Sequence, residues 1–212
     1  MIDYINPNDI EKRSFEIIQS ELPHPIDPIL APIIKRVIHT TADFEYVDSL
    51  AFSENVVEKA VMALTQGVHI VSDTNMVKAG VNKKSLQAFG SEVHCFMQDE
   101  DIAEIARQKG STRAKASMEK AAAMGKPLIF AIGNAPTALL RICELKEAGL
   151  FSPELVIGVP VGFVNVVESK EALMRSGIPY ITAKGRKGGS NVAAAICNAL
   201  LRITAAEKKN NV

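Results

Sequence analysis

The chain has 212 residues, of which 47% are hydrophobic and 23% charged. That is enough apolar material for one full α/β core, and it argues against a disordered chain. Its 24 basic and 24 acidic side chains cancel to a formal charge of zero, without the basic excess or stripe that marks a nucleic-acid binder, so any anion it holds is gripped by a local basic cluster.

In chain order, MIDYINPNDIEK lacks a basic segment followed by an apolar run. No signal peptide is expected, and a cytoplasmic protein is. Helical spacing of Ile10, Phe15, Ile17, Ile18 and Leu22 predicts a helix over 9–22. The pairs Ile29/Leu30, Ile33/Ile34 and Val37/Ile38 predict a second over 27–39, with Pro28 in its first turn and Pro32 either near the start or delaying the onset. A third helix, 53–67, has Ser53 as cap and Gly67 as stop. Short β-rich runs follow at 68–73, 92–97, 127–133, 155–162 and 179–184. Between and after them lie helical stretches, including STRAKASMEKAAAMG, APTALLRICELKEAG, NVVESKEALMRSG and NVAAAICNALLRITAAEKK. This alternation predicts a three-layer α/β/α sandwich with a mainly parallel central sheet, in one domain over 1–212. The most apolar window, 155–167, is too short and too broken by Gly and Pro to span a membrane.

Cys95, Cys143 and Cys197 are widely spaced and flanked by apolar residues; they read as buried hydrophobes, not as a disulfide or zinc framework. Of the four histidines, His69 and His94 fall within predicted strands as hydrogen-bonded core residues, and His24, between two prolines, is exposed. No HxxxH or His–carboxylate spacing suggests a metal site.

Ligands of parallel sheets collect where strand-to-helix loops converge at the carboxyl ends of the strands. Four such loops are specific in composition: SDTNMVKAG, IGNAPTALL, GVPVGFVNVVESK and AKGRKGGSN. In the last, Gly188, Gly189 and Ser190 open a helix, and Lys184, Arg186 and Lys187 supply charge. It matches neither the Walker A pattern nor GxGxxG, so a generic anion or carboxylate loop fits better than a nucleotide fingerprint. In IGNAPTALL, Asn134 and Thr137 either cap the helix or help its N–H groups meet an anion. Arg113, in GSTRAKAS, can fork onto a carboxylate. His39, at the end of the second predicted helix, is either a polar end-piece or a proton carrier facing a ligand; Lys35 and Arg36 lie one turn behind it.

With these segments read, the chain resembles the precorrin-8X methylmutase family of corrin biosynthesis, including its cobalt-precorrin-8 branch. EKRSFEII, RVIHTTAD, SDTNMVKAGV, GSTRA, IGNAPTAL, GVPVGFVNVVESK and GRKGGSNVAAAICNAL carry the likeness, in that order and over nearly the whole chain. The resemblance implies an isomerase that moves a methyl group from carbon 11 to carbon 12 of a contracted tetrapyrrole, giving hydrogenobyrinic acid or, with cobalt inserted, cobyrinic acid. It implies His39 as proton donor and acceptor, Ser14 as a substrate contact and Arg113 as a site residue. Because the migration neither adds nor removes atoms, no cofactor and no catalytic metal are expected. The implied partner is a corrinoid substrate, bound by a homodimer, with Asn134, Thr137, Lys184, Arg186, Gly188, Gly189 and Ser190 as the polar rim. An enzyme acting on a phosphorylated metabolite through GRKGGS, or a non-catalytic tetrapyrrole carrier, are the alternatives from other classes.

Overall fold

The structure, a computed structural model, describes residues 6–210. A 3₁₀ turn, Pro7–Asp9, leads into α1 (Ile10–Ser20). Helix α2 (Ala31–Thr41) begins at Ala31 rather than at residue 27, because Pro32 sits in its first turn and delays the onset. The single turn α3 (Tyr46–Ser49) runs straight into β1 (Leu50–Phe52), a strand the apolar pattern does not announce. Ser53 is not a helix cap. Its N–H donates to the Tyr180 carbonyl (3.0 Å) and its hydroxyl accepts the Tyr180 N–H (2.9 Å), so it extends strand pairing. Helix α4 (Val56–Thr65) starts instead behind Asn55, held at φ +55°, which asparagine tolerates better than most residues.

Strand β2 (His69–Ser72) is followed by α5 (Asn75–Gly80), α6 (Lys83–Gln87), β3 (Val93–His94), α7 (Glu100–Gln108) and α8 (Arg113–Ala122). Then come β4 (Leu128–Ile132), α9 (Pro136–Glu147), β5 (Leu155–Gly158), α10 (Val166–Arg175), β6 (Tyr180–Ala183) and α11 (Ser190–Asn210). The described residues form a six-stranded sheet in the order β1-β6-β5-β4-β2-β3. Its pairs are parallel apart from β1–β6, where Leu50 faces Ala183 and Phe52 faces Ile181 in antiparallel register. The expected three-layer α/β/α architecture with a mainly parallel sheet is present.

Each face of the sheet carries its own apolar layer. Ile33, Val37, Leu64, Val77 and Ile196 from α2, α4, α5 and α11 pack over Ile70, Ile129, Ile157 and Ile181. Met118, Leu139 and Leu173 from α8, α9 and α10 pack over Val71, Phe130 and Val156. Every residue of β4 is buried, which explains its unbroken apolar run. Burying a side chain such as Phe130 contributes about 1.5–3 kcal/mol.

After β2 the chain builds outward to β3, then crosses back to β4 on the other side of β2 and proceeds through β5 to β6. The strand order therefore reverses between β2 and β4. The helices leaving these two strands, α5 and α9, diverge to opposite faces, which opens a crevice at their carboxyl ends.

One ion cluster ties three helices on the first face. The Glu11 carboxylate of α1 accepts from Arg36 of α2 (2.7 Å) and from Arg202 of α11 (two bonds of 3.1 Å). Bonding to Arg202 and then Arg36 outweighs desolvation and holds its carboxyl at about 2, below the ordinary 4.5. A lowered carboxylate stabilises the fold above the unfolded-state value and loses that contribution as pH falls through the folded one. The Glu11 side chain is 48% exposed, so the contribution stays below about 1 kcal/mol. Urea unfolding across pH 2 to pH 4.5 is expected to show a shallower loss of stability for Glu11→Gln than for the parent protein; equal slopes would remove Glu11 from the account.

Candidate active site

The β2–β4 crevice is closed by one carboxylate. Asp73, immediately after β2 and 1% exposed, accepts the backbone N–H groups of Gly133 (2.9 Å), Asn134 (2.8 Å) and Ala135 (2.6 Å) after β4. Burial pushes its carboxyl upward, against the pull of these three donors. Of the two readings of Asn134 and Thr137, the one in which a side chain of theirs caps α9 is corrected. Ala135 occupies the cap position without a side-chain bond, and Asp73 reaches across from the neighbouring loop to accept the N–H groups of the three residues that lead into the helix. Pro136 takes the first helical position, as its fixed φ favours.

The loop after β6 locks onto the same crevice. Thr74 caps α5 through the Val77 N–H (3.2 Å) and shares a hydrogen bond with the Ser190 hydroxyl at the start of α11 (2.9 Å). A Cβ on Gly133 would lie 2.7 Å from the Ser190 Cα, so only glycine lets the two loops meet. Gly188, at φ +158°, is pressed against the Val159 carbonyl, and the Gly189 N–H donates to that carbonyl (2.8 Å). From beneath, the buried Lys170 ammonium donates to the carbonyls of Gly185 (2.9 Å) and Lys187 (2.7 Å), and burial lowers it to about 8. Lys187 itself binds Asp43 (2.6 Å) and Glu45 (2.8 Å). The phosphate-loop reading thus loses two of its donors, since Lys187 and the Gly189 N–H are committed within the protein.

His39 occupies the last turn of α2 and is exposed. Its ring stacks on Phe15 of α1 (5.3 Å, 7° between planes), and the Arg36 guanidinium also lies over Phe15, at 4.5 Å from its centroid. Thr40 and Thr41 donate back to the Arg36 (3.0 Å) and Val37 (2.8 Å) carbonyls, a helix-end role. Ala42, at φ +52°, costs about 1–2 kcal/mol in that conformation. It turns the chain out of the helix so that Asp43 meets Lys187.

A cleft of about 380 Å³ opens between α2, the α5–α6 segment and α11, lined by His39, Arg36, Thr40, Asn82, Asn191 and Arg202 among others. Asn191, beside Gly189, joins this cleft to the GRKGGS loop. A wider hollow of about 460 Å³ lies between the far ends of α9 and α10, near Cys143 and Arg175, away from the converging loops.

The proposed site residues fall into two groups. Gly188, Gly189, Ser190, Asn134 and Thr137 stand on the loops joined by Asp73; Thr137 accepts the Thr112 hydroxyl (3.2 Å), which places Arg113 at the same end of the sheet. Arg113 and Lys184 are exposed and, among the described residues, have no ion-pair partner. Arg186 lies over the exposed Phe163 ring (5.4 Å). The second group is His39 with Phe15. Ser14 is next to Phe15, but its hydroxyl donates to the Ile10 carbonyl (2.9 Å) and it does not line the cleft. Arg113 and Thr137 lie on the α8–α9 face, across the sheet from α2.

Comparison with known proteins shows which family the chain is similar to. The sequence pattern of the family described as precorrin-8X methylmutase matches residues 9–203. A cobalt-precorrin-8 methylmutase of Priestia megaterium is 45% identical over 197 residues, 92% of this chain and 88% of that protein. One from Salmonella typhimurium is 45% identical over 204 residues, covering 92% and 94%. A crystal structure of precorrin-8x methyl mutase from Thermus thermophilus superposes with a TM-score of 0.86 at 40% identity, covering 94% of this chain and 98% of that one.

The chain belongs to the precorrin-8X methylmutase family. It is a methylmutase, an isomerase of cobalamin biosynthesis. Among the described residues no helix is long and apolar enough to cross a membrane. In this methylmutase the residues to which sequence reading gives no part in the site are Asp73, Lys170, Phe15 and Arg202, whereas it places Arg36 beside His39. Asp73 and Lys170 sit in quoted motifs, yet their partners lie 60 to 62 and 15 to 17 residues away. Replacing Asp73 with Ala leaves three N–H groups without an acceptor, and an expected loss of about 2–3 kcal/mol is read from the urea midpoint at constant slope. A midpoint within error of the parent would mean that water or a neighbour replaces the carboxylate.

Proposed function

We propose that this methylmutase acts on cobalt-precorrin-8, moving the methyl group from carbon 11 to carbon 12 to yield cobyrinic acid, with His39 as the acid. The single observation behind the choice of catalyst is the position of His39. It is an exposed imidazole, stacked on Phe15, lining a cleft whose rim carries Arg36 and Arg202. The preference for the cobalt-bearing form rests on the names of the similar relatives from Priestia and Salmonella.

In this reading a ring edge of the corrinoid enters the cleft. Its carboxylate arms meet Arg202, Asn191 and the Gly188–Ser190 turn, and farther arms reach Lys184, Arg186 and Arg113. His39 donates a proton to the macrocycle, which draws electron density from the π-system and lets the methyl group migrate towards positive charge. Loss of the proton to the same imidazole restores the neutral chromophore. A positioned acid contributes about 10²–10⁴-fold; holding a rigid ring in one geometry supplies the remainder.

A cleft of 380 Å³ lies near the lower end of the range for drug-sized ligands, about 300–1,000 Å³. It takes only part of a tetrapyrrole with its arms. A homodimer whose second copy covers the exposed Val161, Phe163 and Val164 would complete the enclosure, and the working compartment is the cytoplasm.

Turnover is followed by the absorbance change from substrate to cobyrinate, beside a corrinoid-binding titration. His39→Ala is expected to lower kcat by about 10²–10⁴-fold with binding retained, and normal turnover would move the acid role elsewhere. Arg113→Ala removes one charge-assisted contact worth about 1.5–3 kcal/mol and is expected to weaken binding more than kcat. Unchanged binding would leave Arg113 facing solvent.

A further inference from the structure

We propose that His69, Glu92 and His94 form a binding site for one divalent transition-metal ion, with zinc the best chemical match, on the β2–β3 edge of the sheet. Its ligands are separate from the Asp73 crevice: His69 is the first residue of β2, and His94, the last residue of β3, stands opposite Val71, whereas Asp73 follows β2.

Strand register brings the three together. Strands β2 and β3 are parallel with Ile70 opposite Val93 and Val71 opposite His94. Side chains alternate along a strand, so His69 shares a sheet face with Val71, and His94 with Val71 across the pair. Glu92, two residues before His94, projects to the same side. His69 Nδ1 and His94 Nε2 are 3.1 Å apart, and His94 Nε2 is 3.8 Å from Glu92 Oε2. One donor atom from each of the three lies within 4.8 Å of the others. Bonds of about 2.0–2.1 Å from a tetrahedral ion place neighbouring ligand atoms about 3.3–3.4 Å apart. The two imidazole nitrogens, at 3.1 Å, need only open slightly to reach that spacing, and Glu92 is exposed, so its carboxylate closes the remaining gap by side-chain rotation. Two histidines and a glutamate, with a fourth position for water, are a known zinc donor set.

The surroundings suit neutral imidazole ligands. Both rings are half-buried, and His94 is stacked against His69 (5.3 Å) and Phe96 (5.9 Å). Burial, together with Lys126 at His69 and the neighbouring ring at His94, lowers both histidines below their ordinary value. The charged groups near the pair are Lys126, Lys78 and Glu92. Without metal, the Lys126 ammonium donates to His69 Nε2 (3.4 Å), which leaves the ring proton on Nδ1 to bridge to His94. Metal binding moves that proton to Nε2 and releases Lys126, an exposed side chain free to swing away. The ion would pin β3, only two residues long and at the edge of the sheet, to β2.

The test uses the full chain, stripped with a chelator and titrated with Zn²⁺, with Mg²⁺ as the hard-cation control; bound zinc, heat of binding and melting temperature are read. One equivalent of zinc and a rise in melting temperature are expected for the parent protein, with neither effect from Mg²⁺. His94→Gln is expected to lose the zinc. Glu92→Gln alters an exposed side chain and so keeps the fold even if His94→Gln does not; it is expected to weaken zinc at least about tenfold, the lower bound seen for supporting residues of metal sites. No zinc uptake by the parent protein, or uptake unchanged in Glu92→Gln, overturns the proposal.

Discussion

A parallel sheet whose strand order reverses must leave a crevice at the reversal, and the two loops bordering it point their helices to opposite faces. Here the Asp73 carboxylate spans that gap. By accepting three N–H groups from the loop after β4, it holds IGNAPTALL against SDTNMVKAG. Thr74 and Ser190 then draw in the start of α11. The GRKGGS loop, which leads into that helix, is held in addition by Gly189 on Val159 and by Lys170. A buried carboxylate is expensive unless its oxygens are satisfied, and the three donors make this one a strut.

The same junction sets where His39 stands. Lys187, on the braced loop, reaches Asp43 just beyond the end of α2. At the outer side Glu11 holds Arg36 and Arg202, and Phe15 supports the imidazole. The histidine thus stands on the last turn of α2 with its ring stacked on Phe15 of α1, open to the cleft. Such an arrangement suits a group that must meet a large flat guest repeatedly in one orientation.

Much of this was legible in one dimension. The five parallel strands announced themselves as short apolar runs, and the special loops could be assigned to their carboxyl ends. What escaped depends on distance along the chain. Strand β1 is three residues long and owes its conformation to β6, so no local pattern marks it. Ser53 looks like a cap from its neighbours alone, yet its hydroxyl serves Tyr180, 127 residues on. Asn134 looks like the cap of α9 for the same reason, although Ala135 holds that position and the Asn134 N–H turns to Asp73, 61 residues back. His69 and His94 likewise meet across two strands, 25 residues apart, where no local spacing pairs them.

The central claim is that the loops locked by Asp73 and the imidazole on α2 present one continuous surface to a corrinoid. A crystal structure of the protein with cobyrinic acid bound tests it most directly. The account predicts a ring edge in the cleft within hydrogen-bonding reach of His39, with a carboxylate arm on the Gly188–Ser190 turn. A macrocycle seated away from α2, with His39 still open to bulk water, would contradict it.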